Sequence, residues 1–504
     1  MKRNSSLKQD LEILRNTSKE LKLIHGILSL LGWDQEVYMP SKGVLGRGKQ
    51  TAFISELYHN KLISKELGNS IEKLEDNKDK LTRNDKSLLR NISHDYKKAV
   101  KIPSEVVKEL AEIETISQKA WEKAKKESDF KSFAPYLSKI LKLKLEICEK
   151  VGYKNSPYDV LLDDFEPYMT EEKLDKLFPK LREETIKILN KIKNNKINIV
   201  KKKINLSMPI DKQKQFTLLV LKKLGYDFGA GRRDEVEHPF TTWISANDVR
   251  ITTHYYKEDF TKALSSSIHE GGHALYEQGR DKKILLTGLD EGISFGIHES
   301  QSRTWENFVG RSKYFWKYFL PKLKKLYPKF KSIQEKDLLL EINEVKPSLI
   351  RIYADEVTYN LHIIIRFEIE KDLIKGKIKV NDLPEVWNSK MKEYLGIKPK
   401  KDSEGVLQDV HWSCGKFGYF PTYSLGNLYA GQFFYKMKKD IPDLNKRIEK
   451  GDFACLLNWM REEIHKFGHI YTASEICKKI TGKDLDAKYF VNYLNEKYGE
   501  MYGF

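Results

Sequence analysis

The chain is 504 residues long, is 40% hydrophobic, and carries 90 Lys and Arg against 72 Asp and Glu, a formal net charge of +18. That length and apolar content bury a large core and exclude a disordered or fibrous chain. The basic residues are interleaved with acidic ones at helical spacings, as in EKAKKESDFK, so the charge describes solvated helix faces rather than a nucleic-acid-binding arm.

The strongest basic patches, KKKIN (201–205) and PKLKKLYPKF (321–330), carry no zinc-knuckle, RRM or helix-turn-helix signature, and no nucleic-acid partner is expected. A Lys- and Glu-rich surface with few cysteines suits a heat-adapted protein, although Lys, Ile and Asn enrichment also follows from nucleotide bias. Cys148, Cys414, Cys455 and Cys477 are scattered without a C-x-x-C pair, which argues against a disulfide framework or a cysteine metal site. The first twenty residues lack the apolar run of a secretory signal, and no stretch approaches the roughly 20 apolar residues needed to span a membrane. A cytoplasmic protein with no membrane partner is expected.

In chain order, LEILRNTSKELKLIHGILSLLGW (11–33), VVKELAEIETISQKAWEKA (106–124) and YLSKILKLKLEICEKV (136–151) repeat apolar residues every three or four positions and predict helices. The exception is HPFTTWISANDVRITTHYY (238–256). It is rich in Thr, Ile, Val, Tyr and Trp, alternates through DVRITTHYY and has a turn signal at Asn247-Asp248, which predicts a small hairpin or short sheet. No repeat or low-complexity linker divides the chain. The expectation is a mainly α fold built as one catalytic unit, residues 1–504, around a deep groove.

SSSIHEGGHALYEQG (265–279) follows the predicted sheet. Asp259 is a candidate N-cap, Phe260, Leu264, Ile268, Gly271 and Leu275 form one helical stripe, and Gly279 stands where a helix ends. At about 100° per residue His269 and His273 project to one side, with Glu270 flanking it. Two interior glycines cost about 2 kcal/mol relative to alanine. That cost predicts another backbone pressed against the back of the helix at Gly271, and a crowded metal or substrate beside Gly272.

A catalytic zinc needs three protein ligands and an open position. The extended H-E-x-x-H-x-x-G-x-x-H form fails, because Tyr276 and Gly279 occupy its glycine and third histidine places. GISFGIHESQSRTWENF (292–308) predicts a second helix from the spacing of Ile297, Gln301, Thr304 and Phe308. Glu299 there is the candidate third ligand, with Glu306 and Glu291 as weaker ones. His254, His362, His465 and His469 have no partner motif and read as structural or surface residues, while His298 orients neighbouring groups or caps a helix.

HPF (238–240), DVRIT (248–252), HEGGH (269–273), HESQ (298–301), IRIYAD (350–355) and GVLQDVHW (405–412) occur in the order and spacing of the carboxypeptidase Taq family of metallocarboxypeptidases, which the chain resembles. WDQEVYMP (33–40) and GKFGYFPTYSLGN (415–427) also look like that family's terminal signatures. The resemblance implies a large helical metallopeptidase fold like that of the neurolysin and angiotensin-converting-enzyme group, commonly a homodimer. It implies release of single C-terminal residues from peptides with broad specificity.

Carried over by position, the resemblance puts the metal on His269, His273 and Glu299, one divalent ion per chain, zinc or cobalt, with Glu270 as general base. Tyr423 and His411, inside matching motifs, are candidate oxyanion donors or else packed groove walls. Arg351 is the first candidate for holding the terminal carboxylate, with Arg250 second and Gln408 and Lys416 assisting. The competing reading of Arg351 is a structural ion pair with Asp355, four residues on along a helix. The DVRITTHYY strand is a candidate to pair with extended substrate along the groove. Two other functions remain at this point: a metallo-oligopeptidase that cuts internal bonds, and a basic helical binding protein with a decayed metal site.

Overall fold

The computed structural model describes residues 2–195 and 204–504, with the side chains of residues 2–6 left out, so KKK (201–203) of the first basic patch lies outside the described residues. The protein is mainly helical, with one three-stranded sheet. The first three predicted helices form, over Lys2–Val37, Ser104–Glu127 and Phe130–Val151. Charge interleaving appears as ion pairs along exposed helix faces, such as Glu172–Lys176, Glu183–Lys187 and Lys436–Asp440. All four cysteines are unpaired.

The chain opens with four helices, α1 (Lys2–Val37), α2 (Val44–Leu62), α3 (Lys65–Asp76) and α4 (Arg83–Ala99). Leu14, Leu21, Leu67, Ile71, Leu74 and Leu88 of this group gather into a small core of their own, which reaches the rest of the protein at Ile284 and Leu289. A much larger core runs through the remaining helices.

The predicted hairpin is strand β2 (Thr241–Ser245) antiparallel to β3 (Asp248–Thr253), turning at Ala246-Asn247, with an irregularity between Trp243 and Ser245. A third strand, β1 (Arg233–Glu235), adds in parallel to β3. The order β1-β3-β2 makes β3 the central strand. Its main-chain groups are spent on both neighbours, so the expectation that DVRITTHYY pairs with substrate is corrected; among the three strands only β1 and β2 are outer strands.

The sheet hands the chain to the histidine helix, Phe260–Gln278. Asp259 caps it, accepting the Thr261 N–H at 3.0 Å, and the stripe Phe260, Leu264, Ile268, Gly271 and Leu275 is buried. The second predicted helix spans Phe295–Arg303 and then widens into a π-helical turn, Thr304–Gly310. A long helix near the C-terminus, Pro421–Asp440, packs along this HESQ helix.

Candidate active site and metal centre

Two close backbone approaches build the site. A Cβ on Gly272 would stand 2.6 Å from the Ser302 Cα and 3.0 Å from the Gln301 carbonyl oxygen, so only glycine lets the HESQ helix cross there. Gly271 instead faces the Leu221 side chain, whose Cδ2 would be 2.6 Å away. The expected backbone contact thus falls one residue later than the stripe suggested, because the crossing helix lies beside the histidine face and not behind it. On the other side of the HESQ helix, a Cβ on Gly426 would be 2.4 Å from Glu299 Cγ and 2.6 Å from its Cβ. Glu299 is pinned between two helices.

Among the described residues one cluster of donor atoms suits a metal, that of His269, His273 and Glu299, all within 4.8 Å of one another. Glu299 Oε2 lies 3.6 Å from His269 Nε2 and 3.4 Å from His273 Nε2. Donors held at 2.0–2.1 Å around a tetrahedral ion stand about 3.3 Å apart, so the donor set fits a small divalent metal. Both histidines turn Nδ1 away from this point: His269 toward Glu306 Oε2 at 2.8 Å, His273 toward His298 Nδ1 at 2.6 Å. Burial alone would raise the Glu299 carboxyl, but Arg303, 2.6 Å from Oε1, and the two imidazoles hold it far below the usual range.

The weaker ligand candidates are placed elsewhere. Glu306 rides the π-helical turn as a partner of His269, Ser265 and Arg303, and Glu291 pairs with Lys22 at 3.3 Å. Glu270 flanks the donors, its Oε2 accepting the Thr241 hydroxyl at 2.7 Å. Burial lifts its carboxyl above the ordinary value, opposed by His269.

Tyr423 and His411 meet, hydroxyl to Nε2, at 3.3 Å. Burial drives His411 down to about 3 and pushes Tyr423 well up, so a neutral imidazole and a protonated phenol face each other. The Arg351 guanidinium lies 4.9 Å from the Tyr423 ring centre. Its Nε and Nη2 donate to Asp409 Oδ1 at 3.0 and 2.8 Å and its Nη1 to the Tyr359 hydroxyl at 3.0 Å. Asp409 Oδ2 in turn accepts from fully buried Arg366 at 2.8 Å.

The pairing of Arg351 with Asp355 is therefore corrected. Arg351 opens a single 3-10 turn, Arg351–Tyr353, and Asp355 accepts the Val357 and Thr358 N–H groups ahead of the following helix. Arg250 is bound to Asp248 at 2.6 Å and stacked 4.3 Å from Trp33 of α1. Gln408 spends its side chain on main chain, accepting the Arg351 N–H at 2.8 Å and donating to the Leu349 and Glu404 carbonyls, so it braces the Arg351 turn. Lys416 is exposed, 5.7 Å from the Tyr419 ring. Of the histidines without a motif, His254 bonds the Val236 carbonyl, His465 bonds Gln301, His362 is fully buried, and burial drives His469 down to about 4.

A mainly helical protein with a His, His, Glu donor set and a buried glutamate beside it has the makings of a metal-dependent peptide hydrolase. Residues 13–498 match the family described as Carboxypeptidase Taq (M32) metallopeptidase, and the chain belongs to that family. It is 41% identical over 478 residues to Thermostable carboxypeptidase 1 of Pyrococcus furiosus, covering 93% of this chain and 94% of that one. It is 40% identical to Carboxypeptidase 1 of Bacillus subtilis, covering 94% and 95%. The crystal structure of the M32 carboxypeptidase from Deinococcus radiodurans R1 superposes with a TM-score of 0.94 at 34% identity, covering 98% and 100% of the two chains. The protein is a metal-dependent carboxypeptidase that acts on peptides, and the oligopeptidase and binding-protein readings fall away. No helix among the described residues is long and apolar enough to cross a membrane.

Proposed function

We propose that the protein releases single residues from peptide C-termini with broad specificity, holding one divalent metal, zinc in preference to cobalt, on His269, His273 and Glu299. The observation that carries this reading is the convergence of those three donor atoms next to a buried carboxylate, Glu270. When bound, the ion polarises the scissile carbonyl and lowers the pKa of a water molecule. Glu270, steadied by Thr241 and raised by burial, takes a proton from the attacking water and returns it to the leaving amine. Tyr423, its hydroxyl steadied by neutral His411 Nε2–H, donates a hydrogen bond to the oxygen on which charge develops.

Arg351 binds the terminal carboxylate. Asp409 neutralises one of the two arginines it touches, so the Arg351–Asp409–Arg366 group keeps one positive charge for substrate. The outer side of β2 at Thr241, whose hydroxyl touches Glu270, takes the substrate main chain. The same reading includes one catalytic unit over the whole chain, a fold like that of the neurolysin and angiotensin-converting-enzyme group, assembly as a homodimer and a cytoplasmic location. Heat tolerance joins it by likeness to the relatives from Pyrococcus furiosus and Thermus thermophilus, both named Thermostable carboxypeptidase 1.

Mass spectrometry of digests of one ten-residue peptide, as free acid and as C-terminal amide, tests the proposal. Wild type is expected to trim the acid one residue at a time and barely cut the amide. Arg351→Ala is expected to lower kcat/KM on the acid by about thirty- to several-thousand-fold, the cost of losing a partly buried arginine–carboxylate contact. Equal wild-type rates on both forms reject terminal-carboxylate recognition; an equal loss on both forms in the variant moves the search to Arg250.

A further inference from the structure

The two candidate ligand histidines are braced differently. His269 Nδ1 meets a carboxylate directly, Glu306, which Ser265 and Arg303 also hold. His273 Nδ1 meets another imidazole nitrogen, His298 Nδ1, at 2.6 Å, and His298 Nε2 lies 2.7 Å from Glu277 Oε1. Glu277 is 8% exposed and its Oε2 is paired with buried Arg280. The His298 ring is confined, with the Tyr276 ring centre 5.1 Å away and Gly292 so close that a Cβ there would be 3.1 Å from His298 Cδ2.

Two ring nitrogens 2.6 Å apart need one hydrogen between them, and the question is whose. Glu277, held ionised by Arg280 against its burial, only accepts, so the hydrogen on the far side of His298 sits on Nε2. With that hydrogen given to Glu277, this tautomer of His298 leaves Nδ1 bare, and Nδ1 accepts from His273 Nδ1–H. That leaves His273 Nε2 without a hydrogen, and this is the atom 3.4 Å from Glu299 Oε2. In the opposite tautomer the hydrogen would sit on His273 Nε2 and block it as a donor to any cation.

We propose that His298 and Glu277 are positioning residues that fix the tautomer and orientation of His273 and so set the protein's metal affinity; the proposal rests on His273 being a ligand. Partners of this kind typically change metal affinity by 10- to 100-fold when removed. The relay also explains the sequence His298-Glu299: consecutive residues of one helix supply a candidate ligand and the brace of another.

The test measures zinc affinity of metal-stripped, full-length variants by competition with a chromophoric chelator, with the visible spectrum of the cobalt-loaded protein as a second readout. His298→Phe removes the acceptor and is expected to weaken zinc by about 10- to 100-fold and to alter the cobalt spectrum. His298→Asn puts Oδ1 where Nδ1 was; it is expected to recover most of the affinity and the wild-type spectrum. Glu277→Gln leaves the acceptor but no longer dictates the tautomer, and a loss of about tenfold is expected. His273→Ala serves as the control. Zinc bound at wild-type strength in His273→Ala overturns the ligand reading beneath the proposal. Loss in His273→Ala with His298→Phe within twofold of wild type overturns the relay, as does His298→Asn as weak as His298→Phe. Should His298→Phe fail to fold, Glu277→Gln decides, and wild-type affinity in that variant overturns the proposal.

Discussion

The seam where the HESQ helix packs between the histidine helix and the Pro421–Asp440 helix, and the group of four N-terminal helices, are both helix packings, yet they differ in how much of their apolar surface is covered. In the seam, glycines bring helices into contact, and the three donor side chains are each braced, His269 by Glu306, His273 by His298 and Glu299 by Arg303. The N-terminal group keeps a small core and leaves Leu23, Ile27 and Leu30 of α1 and Leu45 and Phe53 of α2 exposed, Leu45 by 83%. It joins the rest through apolar contacts at Ile284 and Leu289, a close approach of Gly26 to the Ile244 carbonyl, and polar contacts: Ser87 to the Ile470 carbonyl, Asn91 to the His469 carbonyl, Lys22 to Glu291 and His94 to Asp163. Donor atoms for an ion must hold their spacing to a fraction of an ångström, and dense packing supplies that. A group of helices held in part by contacts that water can replace opens at lower cost.

The largest effects belong inside the seam. Glu299→Ala removes one of three donors and is expected to strip the metal, whereas Glu270→Gln is expected to keep a full equivalent and lose about 10²- to 10⁴-fold in kcat. Metal analysis beside turnover checks both. A full metal equivalent in Glu299→Ala would break the assignment and send the search to Glu306, the carboxylate already touching His269.

Smaller, and directly comparative, is the addition of one methyl group to each region. Gly426→Ala drives a Cβ into Glu299 and is expected to cost about 1–3 kcal/mol of stability together with metal affinity. Gly32→Ala on exposed α1, where a Cβ meets nothing within 4 Å, is expected to stabilise by about 0.5–1 kcal/mol. Denaturant unfolding of the two variants measures the difference. A neutral Gly426→Ala would mean that the seam has slack the close approach denies.

Native-state hydrogen exchange extends the comparison to motion. Amides in the middle of α2 are expected to exchange at least about 100-fold faster than those of Ile268–Leu275, because the former lie under exposed apolar residues and the latter under both neighbouring helices. Equal protection would make the N-terminal helices as firmly joined as the seam.

What the sequence disclosed follows the same division between local and long-range order. Asp259, the apolar stripe and Gly279 mark the histidine helix because caps and periodicity are local, and the placing of His269, His273 and Glu299 needed only two helices of known face. Strand β1 has the sequence Arg-Asp-Glu, with no alternation of its own; its partner β3 makes it a strand. The shift of the tight contact from Gly271 to Gly272 depends on which side the HESQ helix crosses, and Glu306 reaches His269 through a π-helical turn. Glu277 and Asp409 were missed altogether. Each acts through side chains far along the chain or across the site, and a carboxylate's partner is invisible until the fold brings it near.

A pH-dependent effect tests one contact that joins the N-terminal helices to the rest of the protein. His94 of α4 reaches Asp163 at 2.6 Å and Asp95 at 3.1 Å, and hydrogen bonds to these two carboxylates raise its pKa to about 9 despite partial burial, with the Tyr168 ring as its other neighbour. A folded-state value above the ordinary 6.5 means that folding takes up a proton between the two values. The stabilisation is therefore complete below about pH 6.5, declines as pH rises, and is gone above about pH 9. Discounted for solvent screening of a partly exposed group, it amounts to about 1–2 kcal/mol. His94→Gln is expected to lower the unfolding free energy by that amount at pH 6 and by almost nothing at pH 9.5, measured in urea at both pH values. A loss of the same size at both would show that His94 ties the N-terminal helices down by packing rather than by charge.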